Sequence, residues 1–372
     1  MLEDRKWENT APEVPVEFHA RFEQTLEEIE KKPSGKRIKL RVFAVVAAAC
    51  ALCTATVAAK EAFKWSDALL KIFQPSQAQQ QELVEEGFVQ GVGQSVTQSG
   101  VTVTLQEALQ DSHSVYILFE VETPESIVMD DTAEFESGLN LTVDGKYIFD
   151  ALREDGIMTS GSGGGGFVDM NRYGEQEEDA SHKRYYEISY NFLGDEYDFS
   201  GKTLEVSLEN LMLGGEKALP GKVVAEGAWN FRWQVGDIGS EKRIEINRTY
   251  DFGGYEICIE SLDISPLGYV IYADYDDAMK VEEDERNTFT YTGDDPGMEI
   301  DARIGIRAVE YQDGTKVELM YGDGGGADPD KENGVYKVQE RFGQVVDVEN
   351  LKAVYLMQGD VRVPLSEEEK GE

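Results

Sequence analysis

Few residues of this chain combine the types and the spacing that metal binding requires. The best candidate is the series Asp328, Asp330 and Glu332, whose acidic side chains alternate as they do at the start of a calcium-binding loop. Such a loop also needs a glycine at its turn and a bidentate glutamate at its end, where this chain has Asn333 and Gln339. The sequence therefore keeps a weak calcium site as an alternative and favours an exposed acidic hairpin loop.

The histidines and cysteines form no recognisable catalytic arrangement. Neither His113 nor His182 belongs to a zinc-binding spacing such as H-E-x-x-H, and no G-x-S-x-G nucleophile motif occurs. We expect both histidines at the surface or at a strand edge. Cys50 and Cys53 fall in an apolar segment, where small packing residues are the better interpretation of their spacing. The sequence thus predicts neither an enzyme nor a cofactor.

The charge of the chain is strongly negative and unevenly spread. The formal net charge at pH 7 is -38, from 35 basic and 73 acidic side chains. Residues 1–41 contain nine of each, so the whole negative charge falls on the residues that follow. Such a surface repels nucleic acid and anionic lipid headgroups, which excludes nucleic acid as a partner. Solubility and recognition of a basic partner both remain explanations of the charge.

The segment 42–59 is predicted to cross a membrane. It has 18 residues without a charge, enough for a helix across most of the hydrocarbon core of a bilayer. Four basic residues between positions 36 and 41 precede it, so residues 1–41 should be cytoplasmic and the chain from residue 60 extracellular. We therefore predict a single-pass protein of the cell membrane. A cleaved secretory signal and a buried soluble helix are the alternatives.

An amphipathic helix is predicted within the cytoplasmic segment, over residues 15–32. Phe18, Phe22, Leu26 and Ile29 recur at helical spacing and form one apolar stripe. A lone helix cannot bury such a stripe within its own domain, so a partner is expected to cover it. The opposite face is rich in glutamate, which favours a protein over anionic lipid as that partner. A disordered tail with accidental periodicity is the alternative.

From residue 88 onward, the hydrophobic period changes from that of helices to that of strands. Alternating apolar runs separated by turn residues predict a mainly β fold with two sandwiches and a boundary near residue 226. The predicted order is a helical connector at 60–87, sandwiches at 88–226 and 227–365, and an acidic tail at 366–372. No internal repeat is convincing, which leaves open whether the two sandwiches are related in fold.

Two segments of this β region have a specific interpretation. Trp229 and Trp233 share the apolar face of one alternating strand, which predicts core positions for both. The glycine-rich residues 156–166 lack the Lys-Ser or Lys-Thr pair that ends a phosphate-binding loop. We expect this glycine run to be a flexible excursion between strands.

Several segments together follow the pattern of a known family: the helix motif Pro-x-x-Phe-x-x-x-Phe-x-x-x-Leu before the basic cluster, then Trp65-Ser-Asp67, the run Ser95 to Leu105, Gln106 to Asp111, and Val115 to Glu120. This layout resembles domain-of-unknown-function family 4179 of Gram-positive bacteria. The later segments Gly227 to Phe231 and Ile264 to Leu267 resemble the immunoglobulin-like domain that often follows it.

The resemblance implies a membrane-anchored, anti-sigma-factor-like regulator with two immunoglobulin-like β-sandwich domains outside. Its cytoplasmic partner is then expected to be an extracytoplasmic-function sigma factor or another cytoplasmic regulator. The chain lacks the His-x-x-x-Cys-x-x-Cys zinc motif of well-defined anti-sigma factors, and its cytoplasmic segment is shorter than their domain. The leading hypothesis is an envelope signalling protein that senses or binds a cell-wall or extracellular ligand. The alternative is a membrane-anchored binding or adhesion module without a signalling role.

Overall fold

The computed structural model describes residues 65–137, 140–169, 181–214, 221–239, 241–252, 254–288, 304–319, 321–357 and 361–365. The predicted amphipathic helix and the apolar segment 42–59 lie outside these residues. Within them, none of the helices combines the length and the hydropathy that a membrane crossing needs.

The described part of the chain is mainly β, as the sequence predicts. Its helices are α1 (Asp67–Phe73), α2 (Gln77–Glu85), α3 (Ile148–Glu154) and α4 (Tyr275–Thr288). Its strands in the first half are β1 (Val89–Gln98), β2 (Val101–Gln110), β3 (Ser114–Glu122), β4 (Glu134–Ser137), β5 (Leu141–Val143), β6 (Lys146–Tyr147), β7 (Met158–Phe167), β8 (Lys183–Gly194), β9 (Thr203–Leu213) and β10 (Lys222–Gln234). The second half has β11 (Lys242–Asp251), β12 (Glu256–Ile264), β13 (Gly268–Asp274), β14 (Ile306–Tyr311), β15 (Lys316–Glu318), β16 (Tyr321–Asp330), β17 (Val335–Phe342), β18 (Leu351–Leu356) and β19 (Arg362–Pro364).

Strands β1 to β10 form two sheets around one apolar core, and we call this unit the first domain. One sheet has the order β1-β2-β3-β8-β7, and the other has the order β10-β9-β5-β6 with β4 also paired to β9. Side chains of both sheets contribute to the core. The rings of Phe119 on β3 and Phe231 on β10 lie 5.3 Å apart within it. The two sheets therefore pack face to face.

Strands β11 to β19 form the second domain, which has the same strand order as the first. Its sheets are β11-β12-β13-β17-β16 and, read from the last strand, β19-β18-β14-β15. Each strand of this list corresponds in chain order to one strand of the first domain, where β4 is additional. The described residues thus contain one topology twice. Strand order depends on main-chain pairing rather than on identical side chains, so the sequence does not reveal it.

The first core extends beyond the domain boundary that the sequence predicts. Trp229, Phe231 and Trp233 alternate along β10 and are buried in the first core, which confirms the core positions of both tryptophans. Residue 226 lies inside β10, so the structure moves the end of the first domain to Gln234. Periodicity identifies the buried face of a strand but not the core that receives it. For that reason the sequence assigned this strand to the second domain.

The glycine-rich segment is a regular edge strand, β7, and its prediction as a flexible excursion was wrong. It pairs with β8 over most of its length. A Cβ atom on Gly161 would lie 2.8 Å from the ring of Phe149, and one on Gly163 would lie 2.8 Å from the ring of Tyr190. Glycine is therefore needed here for close packing of aromatic rings, which composition does not reveal.

The substitution Gly163→Val should lower the free energy of unfolding by about 1–3 kcal/mol, because Tyr190 is buried and cannot move away. Gly166→Val on the same strand is the matched control, since its Cβ atom would meet nothing within 4 Å. Urea unfolding of both variants measures the difference. Equal losses of stability would contradict a packing role for Gly163.

Candidate functional site

Two short helices precede the first strand and are fixed by local signals. Ser66 caps α1 by accepting a hydrogen bond from the main-chain N of Leu69 at 3.1 Å. Ser76 and Gln79 form a capping box at the start of α2. Between the helices, Gln74 has a left-handed main chain with φ of 47°. We call α1 and α2 the connector helices, because they lie in the segment predicted to connect the apolar segment to the β domains.

The connector helices bury their apolar face against both domains. On β3, Tyr116 and Leu118 alternate with Ile117 and Phe119, so they lie on the face of the sheet opposite the first core. That face packs against α1, and two loops of the second domain complete a third apolar cluster. Its principal members are Ala68, Leu69, Ile72 and Phe73 of α1, Leu109, Tyr116 and Leu118 of the first domain, and Leu267 and Val345 of the second.

Phe73 makes contacts with both domains. Its ring packs edge-on against Tyr116 of the first domain, with centroids 5.2 Å apart. Its carbonyl oxygen accepts a hydrogen bond of 3.0 Å from the main-chain N of Val345 in the second domain. The guanidinium of Arg341 lies 5.7 Å from the Phe73 ring centroid and 4.8 Å from that of Tyr116. A shift of one domain against the other would therefore change the contacts of α1.

Glu107 ties the start of α1 to strand β2. The main-chain N and the Oγ of Ser66 both donate to its carboxylate, at 2.8 and 3.0 Å. The residue is only 2% exposed. Burial raises the pKa of Glu107 from its ordinary 4.5 to about 7, although the bonds from Ser66 oppose this and the charge of Glu120 adds to it. The carboxyl at the base of the connector helices therefore titrates near neutral pH.

A buried polar network joins the two domains beside the third apolar cluster. One oxygen of Asp111 accepts hydrogen bonds from the main-chain N of His113 at 3.0 Å and from Ser114 Oγ at 2.7 Å. The other oxygen accepts a bond of 2.9 Å from Ser265 Oγ in the second domain. The main chain of the second domain comes close to the first domain here, since a Cβ atom on Gly268 would lie 3.6 Å from Oδ2 of Asp111. The loops of the two domains are therefore fixed by specific bonds.

His113 is part of this network and is only 2% exposed, so its prediction as a surface or strand-edge histidine was wrong. Its Nδ1 lies 3.2 Å from Glu241, in the segment between the domains. Burial alone lowers the pKa of His113, but Glu241, with Asp111 and Glu196, raises it overall. His113 lies in the turn between β2 and β3, and a turn residue is expected to be exposed. The sequence does not show that the second domain covers this turn.

An open cleft of about 520 Å³ lies at the edge of this junction. The first domain supplies Asp195 and Glu196, and the second domain supplies Arg243, Glu260, Asp263, Tyr272, Asp330, Asn333, Val335 and Lys337. Lys337 bonds across the domains to Asp195 at 3.1 Å. The junction as a whole thus combines an apolar cluster, a polar network and a solvent-accessible cleft.

One comparison with known proteins matches part of this chain. Residues 35–123 match the family model of a domain of unknown function, DUF4179. The predicted family resemblance is confirmed for this segment. The DUF4179 segment contains the connector helices and β1 to β3, and hence Glu107, Asp111 and His113. The immunoglobulin-like resemblance of the later segments stays a prediction.

Two further comparisons carry no functional conclusion. No curated protein matches the chain. The crystal structure of a conserved domain protein from Bacillus anthracis is similar at 15% identity, with a TM-score of 0.41. The similarity covers 73% of this chain and 79% of that one.

The structure describes only some of the residues that the sequence singles out. The partner-binding residues lie outside the described part of the chain: Phe18, Phe22, Leu26 and Ile29. Of the calcium candidates, Asp328 and Asp330 lie on β16 and Glu332 lies in the turn that follows. Asp330 accepts bonds from the main-chain N and the Nδ2 of Asn333, at 3.1 and 2.7 Å. No three His, Cys, Asp or Glu residues of the described ranges are grouped to hold a metal ion.

One signal for the junction is present in the sequence. The run Val115 to Val121 is almost continuously apolar, which is typical of a strand covered on both faces. A sheet of one sandwich needs cover on one face only. The second apolar face of β3 therefore indicates a further packed element, which the structure shows to be α1.

Proposed function

We propose that this chain is a single-pass envelope signalling protein whose outer domains sense or bind a cell-wall or extracellular ligand. In this proposal residues 1–41 are cytoplasmic, residues 42–59 cross the membrane, and each β domain is an immunoglobulin-like sandwich. The chain acts as an anti-sigma-factor-like regulator, with an extracytoplasmic-function sigma factor or another cytoplasmic regulator as its partner. It catalyses no reaction and needs no cofactor.

The observation that carries this proposal is the position of α1, which contacts both domains through Phe73. An adhesion module needs only a tether, whereas a receptor needs its membrane-proximal element to depend on the ligand-binding domains. A ligand can shift a conformational equilibrium only by binding one state more tightly than another. A ligand that favours one arrangement of the two domains would here also favour one set of contacts for α1.

The DUF4179 match also supports a link between the apolar segment and the β domains. It begins at residue 35, so it includes the basic cluster and the apolar segment as well as the connector helices. The apolar segment, the connector helices and the first three strands thus belong to one family unit. The predicted stripe of the cytoplasmic helix would contribute roughly 6–10 kcal/mol of apolar burial before ordering costs, enough for a specific reversible complex.

The test is capture of a cytoplasmic partner by the full-length chain expressed in a Gram-positive host. Phe22→Glu should abolish co-purification of a sigma factor or other regulator, because the charge interrupts the apolar stripe. Gln24→Glu is the matched control, since it adds the same charge outside the stripe and should leave capture intact.

Unchanged capture by the Phe22→Glu chain would overturn the proposed partner-binding helix. If neither the wild-type chain nor the control captured a specific protein, the membrane-anchored binding or adhesion module would become the better assignment. Both substitutions lie outside the β domains and should not change the folding of those domains. A difference in capture would therefore reflect the cytoplasmic helix.

A further inference from the structure

We propose that the junction between α1 and the two domains is a pH-sensitive contact, which bound protons hold closed and a rising pH opens. It contains three ionisable side chains that are shielded from water: Glu107 on β2, His113 in the turn after β2, and Glu241 in the segment between the domains. Opening and closing of this contact do not depend on the proposed function. Only its use in signalling, with the external pH as a stimulus, rests on that function.

Glu107 connects the first domain to α1 and has no basic partner among the described residues. Its two contacts come from the main-chain N and the Oγ of Ser66, at 2.8 and 3.0 Å. Strand β1, which pairs with β2 here, has no charged residue. The charged and titratable groups around Glu107 are Asp67 of α1, Glu120 of β3, and Tyr185 and Lys183 of β8, where Lys183 is paired with Glu120 at 2.9 Å. An ionised Glu107 is therefore a buried charge without a cation of its own.

The contacts of Glu107 suit its protonated form. A neutral carboxyl accepts the main-chain N–H of Ser66 with one oxygen and donates its own proton to the Ser66 Oγ, so both contacts can persist. When α1 separates, the carboxyl returns to water and ionises near its ordinary pKa of 4.5, whereas burial in the closed contact raises the pKa to about 7. The closed contact thus binds one proton more than the open contact between these pH values.

His113 and Glu241 form a second buried pair, which joins the first domain to the segment between the domains. Nδ1 of His113 lies 3.2 Å from Oε1 of Glu241, and the same oxygen accepts the main-chain N–H of Ser112 at 3.1 Å. The exposed fractions of the two side chains are only 3% and 4%. The His113 ring packs against Phe192, and its Nε2 has no hydrogen-bond partner within the described ranges. Opening of the junction would return both side chains to water.

Acidic groups dominate the surroundings of this pair. Asp111 and Glu196 of the first domain add their negative charges to that of Glu241. The basic residues that β17 of the second domain brings to the junction already have other contacts: Lys337 is paired with Asp195 at 3.1 Å, and Arg341 lies over the rings of Phe73 and Tyr116. The negative charge around His113 therefore favours a bound proton.

All three groups bind protons more tightly in the closed junction than in water. Burial alone lowers the pKa of His113, but the surrounding carboxylates raise it overall. Burial raises the pKa of Glu241, although the bond with His113 opposes this. The pKa of Glu107 is raised in the same way. Because the three effects have one sign, a rising pH weakens the junction at each of these groups.

Residue-resolved hydrogen–deuterium exchange of the purified full-length chain between pH 5 and pH 8 tests the proposal. The amides of Ser66 and Ser112 donate directly to Glu107 and Glu241, so their exchange reports the two contacts. Division of each rate by the intrinsic exchange rate at the same pH leaves the opening equilibrium. Protection of the Ser66 amide should fall about tenfold or more from pH 5 to pH 7. Protection of the Ser112 amide should fall in the same direction up to pH 8.

Glu107→Gln should abolish the pH dependence at Ser66, because glutamine still accepts the N–H bond but does not ionise. Glu122→Gln, at the exposed end of β3, is the matched control and should keep the wild-type profile.

His113→Asn should reduce the pH dependence at Ser112, because asparagine keeps a donor at the position of Nδ1 without titrating. His182→Asn is the control for this substitution, since His182 contacts Ile127 outside the junction.

A wild-type profile that stays flat at both amides would overturn the proposal, and this result needs no variant to fold. Full pH dependence at Ser66 in Glu107→Gln and at Ser112 in His113→Asn would overturn it as well, because the protons would then bind elsewhere. Exchange is measured without a cytoplasmic partner, whereas the proposed function is tested by capture through Phe22. The two proposals therefore fail on different experiments.

Discussion

Replacing Phe73 by alanine should lower the free energy of unfolding by about 3–5 kcal/mol, because the ring is fully buried in the third apolar cluster. The loss combines the transfer free energy of the ring with the cost of the cavity it leaves. The contacts with Tyr116 and Arg341 are lost with the ring. Urea unfolding of the wild-type chain and the variant measures the change.

The substitution should also release the connector helices from the β domains. Protease should cleave the α1 to α2 region of the Phe73→Ala chain faster than that of the wild type, while the β domains stay resistant. Gln77→Ala is the control, since Gln77 is exposed on α2 and should change stability by no more than about 0.5 kcal/mol. A loss below about 1 kcal/mol for Phe73→Ala would show that the connector helices do not depend on this packing.

Stability should fall as the pH rises from about 4.5 to about 7 through the titration of Glu107. The unfolded chain releases this proton near 4.5, whereas the folded chain keeps it until about 7, so the folded state binds more protons in this window. At 1.36 kcal/mol for each pKa unit, the effect reaches about 3 kcal/mol. The contribution is complete below pH 4.5 and is lost as the pH passes 7.

Glu107→Gln should remove this dependence, because glutamine still accepts a bond from Ser66 but does not ionise. The quantity to measure is the difference in unfolding free energy between wild type and variant across pH 4 to 8. The contributions of the other titrating groups cancel in this difference. Glu122→Gln, at the exposed end of β3, gives the corresponding curve for a surface carboxyl. A Glu107 difference curve that stays flat would contradict the buried carboxyl at the start of α1.

The sequence by itself determined part of the local structure, namely the mainly β pattern and the short helices before the first strand. Serines 66 and 76 precede short helices and cap them, as their side chains favour at helix starts. The strict alternation of Trp229, Phe231 and Trp233 identified one buried strand face. These signals are legible because each depends on residues within a few positions of one another.

Only the tertiary structure decided which helices and strands pack against one another. Periodicity did not show that β10 completes the first core, that β7 is a strand, or that His113 is buried. The contact between Glu107 and Ser66 spans 41 positions, and that between Asp111 and Ser265 spans 154. Contacts of this range follow from strand order and domain packing. Dissimilar sequences can share one strand order, so the strand order is not legible in the sequence. The junction is therefore a property of the assembled chain, because its residues acquire their burial and their pKa values only when both domains and α1 are in place.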